Sequence, residues 1–417
     1  MAQDSHPPLM TDETIYRQRD FGFFISARFL STVAMMVQSV AIGWQVYNIE
    51  NTAFSLGMVG LCQFLPMFLI TLPAGEISDR FDQRKVLAIA QVMQAVCAGL
   101  FMLFSIMTPH NALPFYGVLV LFGIGRGFSG PAGSSLLAFL VPPEKLARGI
   151  ALSSSAFTTA VIAGPALGGF LFALGPLPTY GICLVAALLA SVCTLTLGGR
   201  RIVHTGDASR LERVKEGIRF VRERPVVMGA ISLDLFAVLL GGAVALLPIY
   251  ARDILHAGTI GLGFLRSAPA AGAAVTAFTL ARFPVETRMG SRMFLAVAIF
   301  GVATVVFGLS ANYFLSLAAL FVIGASDMIS VYIRSTLINF ATPDPMRGRV
   351  GAVNMLFIGA SNELGEFESG LTAQWLGTVP AVVIGGIGTL IVVAAWMGLF
   401  PPLRKVDKLS EVSPVSA

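Results

Sequence analysis

The sequence predicts an all-α membrane protein of twelve transmembrane helices in two pseudo-symmetric six-helix bundles. Three observations predict it: composition, the spacing of the apolar runs and the placement of basic residues. Of 417 residues, 55% are hydrophobic and only 12% charged, with a mean hydropathy of +0.79. A spanning helix needs roughly 20 mainly apolar residues. Twelve such runs follow one another at about 21–48, 54–75, 86–107, 113–140, 149–174, 178–198, 226–250, 259–281, 293–310, 313–340, 350–376 and 379–400. Lys and Arg crowd the N-terminus, every second loop and the C-terminus, and the alternate loops hold only Arg252. That asymmetry places both termini and the basic loops in the cytoplasm. The net charge of +5 is then topological, and the expected surroundings are a lipid bilayer, not nucleic acid.

Taken in order, the N-terminal "MAQDSHPPLMTDETIYRQRD" lacks the basic stretch and short apolar core of a cleavable signal. The first run therefore reads as a retained span, and 1–198 as the first bundle. Cys62, Cys97, Cys183 and Cys193 fall inside apolar runs without CxxC spacing, as small buried hydrophobes do. Loop 199–225 carries Leu211, Val214, Ile218 and Val221 at helical spacing among Arg, Lys and Glu, an amphipathic linker helix at the membrane face. Residues 226–400 form the second bundle, and 401–417 a cytoplasmic tail.

A repeat supports the division. A shift of 201 residues lays "FGIGRGF" (122–128) on "VIGASDM" (322–328), "PPEKLARG" on "PDPMRGRV" and "GPALGG" (164–169) on "GEFESG" (365–370). Gly123 then meets Gly324, and Arg126 meets Asp327. Parallel repeats of this kind place a substrate between the halves near the midplane.

These residues also resemble a family. "GEISDRFDQRKVL" (75–87) looks like the loop motif of the major facilitator superfamily, with Gly75, Asp79, Arg80, Arg84 and Lys85 where the pattern expects them. Asp82 replaces the usual glycine before the basic pair. "IAGPALGG", with Gly164, Pro165, Gly168 and Gly169, resembles the fifth-helix motif of its proton antiporters, and Arg126 stands where a fourth-helix arginine is common. "SARFLS", "RGRVGAVN" and "SNELGEFESG" look most like bacterial siderophore and drug exporters of that superfamily. The resemblance implies a major facilitator fold, a cytoplasmic gate at 75–85, and first, fourth, seventh and tenth helices lining a cavity.

The buried charges give the same pattern without the family. Charges at bilayer depth face a bundle interior or a water-filled cavity and by default mark function. They are Arg28 in run 1, Arg126 in run 4, Asp234 in run 7, Arg266 in run 8, Asp327 and Arg334 in run 10, and Glu363, Glu366 and Glu368 in run 11. Arg28, Arg126, Asp327 and Arg334 are the candidate substrate-binding set. Arg126 and Asp327, as repeat mates, are also suited to a structural salt bridge, and Arg334 to snorkelling toward the inner interface. If Asp327 takes the arginines, Asp234 and Glu363 are left together without a base. With Glu366 they form the candidate proton-coupling set, while Glu368 turns to another face.

No catalytic constellation appears. His6, His110, His204 and His256 are scattered without ligand spacing, and no GxxxxGK[ST] phosphate loop exists. The expectation is no enzyme, no cofactor and no metal. The reading is a monomeric proton-coupled exporter of the bacterial inner membrane, moving a small amphipathic molecule such as a siderophore by alternating access. A multidrug or antibiotic antiporter is the alternative, and a non-transporting scaffold or sensor the alternative of another class.

Overall fold

A computed structural model gives the fold of residues 19–198 and 210–407. Expectations that fall on the N-terminal stretch, the start of the linker and the end of the tail lie outside the described residues. The first half is α1 (Arg19–Glu50), α2 (Ala53–Arg80), α3 (Gln83–Met107), α4 (Leu113–Leu140), α5 (Leu146–Ala173) and α6 (Pro176–Leu195). The linker helix α7 (Arg210–Glu223) leads to α8 (Pro225–Leu240), which continues through a tight turn, α9 (Leu247–Ile249) and a widened turn at Tyr250–Ile254. Then come α10 (Gly258–Arg282), α11 (Met289–Leu309), α12 (Tyr313–Ala341), α13 (Asp344–Leu376), α14 (Thr378–Leu399) and the short α15 (Pro401–Lys405). Runs 8 to 12 of the sequence are thus α10 to α14. Among the described residues, ten rods are long and apolar enough to cross a membrane by length and composition. The two that fall short, α10 and α13, carry Arg266 and the three glutamates.

Helix ends follow local chemistry. Thr52 caps α2 by accepting from the Ser55 amide, Asp82 caps α3, and Asn312 caps α12, each relieving an orphan N–H of a first turn. Gly175 ends α5 at φ 114 and Gly377 ends α13 at φ 91. Both lie in the region where a side chain would be strained, at matching joints of the two halves.

The repeat is visible in the packing. A Cβ on Gly123 would collide with the Gln63 carbonyl of α2, and one on Gly324 with the Pro269 carbonyl of α10. Equivalent glycines therefore let α4 cross α2 and α12 cross α10, as small residues do in membrane bundles. Between the halves, α5 crosses α10 at Gly169–Gly263 and α13 crosses α2 at Gly370–Gly57, again a matched pair.

Those two crossings lie at one end of the molecule, where α1 gives way to α2. A single apolar cluster spans both halves there, with Val40, Tyr47 and Leu56 beside Leu246, Tyr250 and Leu262. Tyr47 donates to the Asp253 carboxylate, and Arg252 lies 4.1 Å over the Tyr47 ring while donating to Asn48 at 3.0 Å. Toward the opposite, basic end, Gly351 and Gly359 of α13 have nothing within 4 Å of where a Cβ would stand. At that end α7 is tied to α13 through Glu216 and Arg349.

Candidate functional site

From mid-bundle toward the basic end, the first half encloses a cavity of about 670 Å3, within the range of small-molecule sites. Arg28, Ser31 and Met35 of α1, Met67 and Thr71 of α2, Gln91 and Gln94 of α3, and Phe122, Arg126 and Ser129 of α4 line it. Phe157 of α5 closes the wall, with the Arg28 guanidinium 5.5 Å from its ring centre. The Arg28 Nε is buried without a hydrogen-bond partner. The Ser31 hydroxyl donates to Gln94 Oε1 at 3.0 Å, and Gln94 Nε2 donates back to the Ser31 carbonyl at 3.0 Å. The wall is thus aromatic and hydroxyl-rich, with two arginines as its cations.

Arg126 does a second thing. Its Nη2 donates to Glu363 Oε1 of α13 at 3.1 Å, across the interface, while Nη1 reaches Gln63 Oε1 at 3.4 Å. The expected Arg126–Asp327 bridge does not form, because α13 leans on α2 beside α4 and brings Glu363 nearer. The expected Asp234/Glu363 pair without a base is likewise overturned. The α8 and α13 rods do pack together, with Gly365 against the Leu239 backbone, but Asp234 turns to α12 and pairs with Arg334. Arg334 is 1% exposed and does not snorkel. Asp327 lies beside the same pair, in electrostatic reach of both.

The substrate set is therefore split. Arg28 and Arg126 stand on the cavity wall, whereas Asp327 and Arg334 stand in the second half around Asp234. Of the acids of α13, Glu363 holds Arg126, and Glu366 lies against Gly60 of α2 and within electrostatic reach of Arg266. Glu368 accepts from the Thr372 hydroxyl at 2.7 Å. Arg266 donates to the Ser39 carbonyl of α1 at 2.9 Å, a further polar link between halves that the sequence reading left out of the site. Its charge inside an apolar run was the signal. Gln63, Gln94 and Phe157 were also missed; neutral side chains carry no such signal.

The gate motif is placed as follows. Gly75 is buried in α2 and Lys85 is exposed on α3. Arg84 pairs with Asp82 at 2.8 Å and donates to the Leu197 carbonyl at 2.6 Å. Asp82 takes φ −63 as the cap of α3, so this turn has no need of a glycine. The Arg84 guanidinium holds the Asp82 carboxyl below the usual carboxylate range. Arg80 is engaged in its own interaction, and the Asp79 side chain lies outside the described residues. In α5, Gly164 and Gly168 pack on Met36 and Val37 of α1, while the Pro165 carbonyl and Gly169 pack on Gly263 of α10.

Two six-helix halves in contact at one end, with a two-arginine cavity in the first of them, are the arrangement of a multi-pass transporter of the major facilitator fold. The chain belongs to the family of transmembrane secretion effectors, whose model it matches over residues 14–415. The enterobactin exporter EntS of Citrobacter koseri is 24% identical over 384 residues, covering 91% of each chain. A bacterial homologue of the lysosomal transporter Spinster, solved in an inward-facing, occupied conformation, shares the fold with a TM-score of 0.73 at 13% identity, over 97% of this chain and 100% of that one. The nucleoside transporter NupG gives 0.70 at 14% identity, over 91% and 99%. These relatives are transporters, and the chain is not an enzyme.

Proposed function

We propose that the protein is a proton-coupled exporter of the bacterial inner membrane that carries a siderophore, or a similar oxygen-rich anionic amphipath, by alternating access. The observation that carries this reading is the double role of Arg126, which stands on the cavity wall and also bridges to Glu363 across the interface. An anion in the cavity competes with Glu363 for that guanidinium, so loading loosens a link between the halves. Arg28, its guanidinium set over Phe157, offers a second cationic contact and an aromatic face. The two guanidinium groups suit aryl oxygens and repel organic cations, while the Phe157 ring suits an aryl ring. Glu366, set between Arg266 and α2, is the acid whose protonation would alter the interface from the other side.

The basic end is taken as cytoplasmic, which makes this conformation inward-facing with the outer end shut by the two glycine crossings. Alternate-loop charge supports that orientation. The protein is read as working alone, as a monomer. The test is uptake of radiolabelled enterobactin into inside-out vesicles with an acid lumen. Accumulation that an uncoupler abolishes, and that Arg126→Ala lowers, supports the reading. Absence of gradient-driven enterobactin uptake, with active uptake of ethidium instead, overturns the substrate class in favour of drug efflux.

A further inference from the structure

The linker helix α7 carries an exposed basic face, away from the cavity and from the links between the halves. Its inward side is fixed. A Cβ on Gly217 would stand 2.7 Å from the Arg349 carbonyl of α13. Val221, 2% exposed, packs with Val227 of α8, Ala341 of α12 and Val350 of α13. Those partners belong to the end turns of spanning helices, so α7 lies level with the span ends, where lipid headgroups begin.

Around the helix, at about 100° per residue, the sides follow in a definite order. Beside buried Val221 comes Ile218, left 39% exposed. Then come Arg222, Lys215 and Arg219, all exposed and within about 60° of one another. Beyond them are Glu223 and Glu216. Arg219 pairs with Glu223 at 3.0 Å and Glu216 with Arg349, whereas Lys215 and Arg222 have no ion pair among the described residues. An open groove of about 380 Å3 lies along Lys215, Ile218, Arg219 and Arg222. An apolar edge, then cations, then acids is the order in which a helix at a membrane surface meets acyl chains, headgroups and water. A face turned only to water has no use for the isoleucine.

We propose that Lys215, Arg219 and Arg222 form a site for the phosphate of an anionic phospholipid, whose acyl chain covers Ile218. Charge selects an anionic lipid over a zwitterionic one, since two cations remain after Glu223 has paired with Arg219. Each cation near such a surface adds to the attraction. Gly217 and Glu216 hold α7 to α13, and α7 also reaches α2. A bound lipid therefore clamps the linker at the seam where the halves part at the basic end. Its effect on transport rests on the exporter reading above; its occupancy does not.

Native mass spectrometry of the purified full chain in detergent counts the lipids retained as phosphatidylglycerol or phosphatidylcholine is added. The wild type should retain phosphatidylglycerol saturably and phosphatidylcholine only weakly. Lys215→Gln, Arg219→Gln and Arg222→Gln together should weaken phosphatidylglycerol binding about 10- to 100-fold. Arg222→Gln alone should weaken it about 3- to 10-fold, and serves if the triple variant does not fold. Arg288→Gln with Arg292→Gln removes exposed cations at the start of α11 and should leave binding as in the wild type. The site is refuted if the α7 variants bind the lipid as the wild type does, or if the α11 pair weakens binding as much as the triple variant. Glycerophosphoglycerol, the headgroup without chains, should compete only weakly. If it competes as well as the lipid, the site takes a free phosphodiester and the lipid assignment falls. If the lipid binds and yet no ion gradient drives export, the exporter reading fails and the site stands.

Discussion

Arg126 and Arg334 are both arginines inside the membrane paired to a carboxylate, and they serve opposite ends. The Arg126 side chain is 28% exposed, lines a cavity and pairs with an acid of the other half. The Arg334 side chain is 2% exposed and pairs with an acid of its own half. When the halves rock, the first pair must break or stretch and the second travels intact. A pair across an interface, partly wet, contributes little stability and can switch. A dry pair within one bundle cannot lose a partner without stranding a buried charge. The difference separates moving parts from fixed ones.

The largest effect that tests this contrast is Arg334→Ala, which should destabilise the protein by about 3–5 kcal/mol by leaving Asp234 buried and unpaired. Thermal unfolding in detergent would show it, and Asp234→Leu with Arg334→Met should recover much of the loss. A cost below about 1 kcal/mol would mean the pair is wetter than its burial implies.

Next come the paired crossings. Gly169→Val and Gly370→Val each force a side chain into the facing backbone and should cost about 1–3 kcal/mol. Similar losses from both, by the same unfolding assay, would show that the two halves bear the contact at that end equally. A loss from only one would break the symmetry.

Arg126→Ala should cost about 1 kcal/mol or less while lowering gradient-driven uptake in inside-out vesicles. Arg126→Lys should restore only part, because a lysine cannot hold Glu363 and a bound anion with one planar fork. A large stability loss from Arg126→Ala would move this pair into the class of Arg334.

The smallest effect is at the turn between α2 and α3. Asp82→Ala removes the cap of α3 and its pairing to Arg84, costing about 0.5 kcal/mol at a partly exposed site. The folded-state affinity of Asp82 for its proton is lowered. Its contribution is therefore complete above the unfolded value of about 4 and fades as pH falls through the lower folded value. Wild type and variant should converge in acid unfolding and differ by a constant amount at neutral pH.

Much of this was legible beforehand. Twelve apolar runs became twelve rods because a bilayer requires internally bonded helices of a fixed length. The 201-residue register was legible because Gly123 and Gly324 do the same steric work, each letting a helix cross its neighbour's backbone. Charges inside apolar runs marked Arg126, Asp234, Glu363 and Arg334 because such residues are too costly to keep in a span without a partner.

What the sequence could not settle was which partner. Depth along a helix follows from counting residues, but the direction in which a side chain points follows from helix rotation and from which rod leans on which. Arg126 found Glu363 instead of its repeat mate Asp327 because α13 crosses α2 at Gly57 and Gly370, and Asp234 found Arg334 because α8 presents that face to α12. The neutral lining, Gln94 holding Ser31 and Phe157 under Arg28, had no one-dimensional mark at all. Sequence alone determined where the long apolar runs lie and which carry charge, since the bilayer acts on each segment separately. Tertiary structure alone decided the pairings and the cavity, since those depend on contacts between residues far apart in the chain, as Arg126 and Glu363 are at 237 positions.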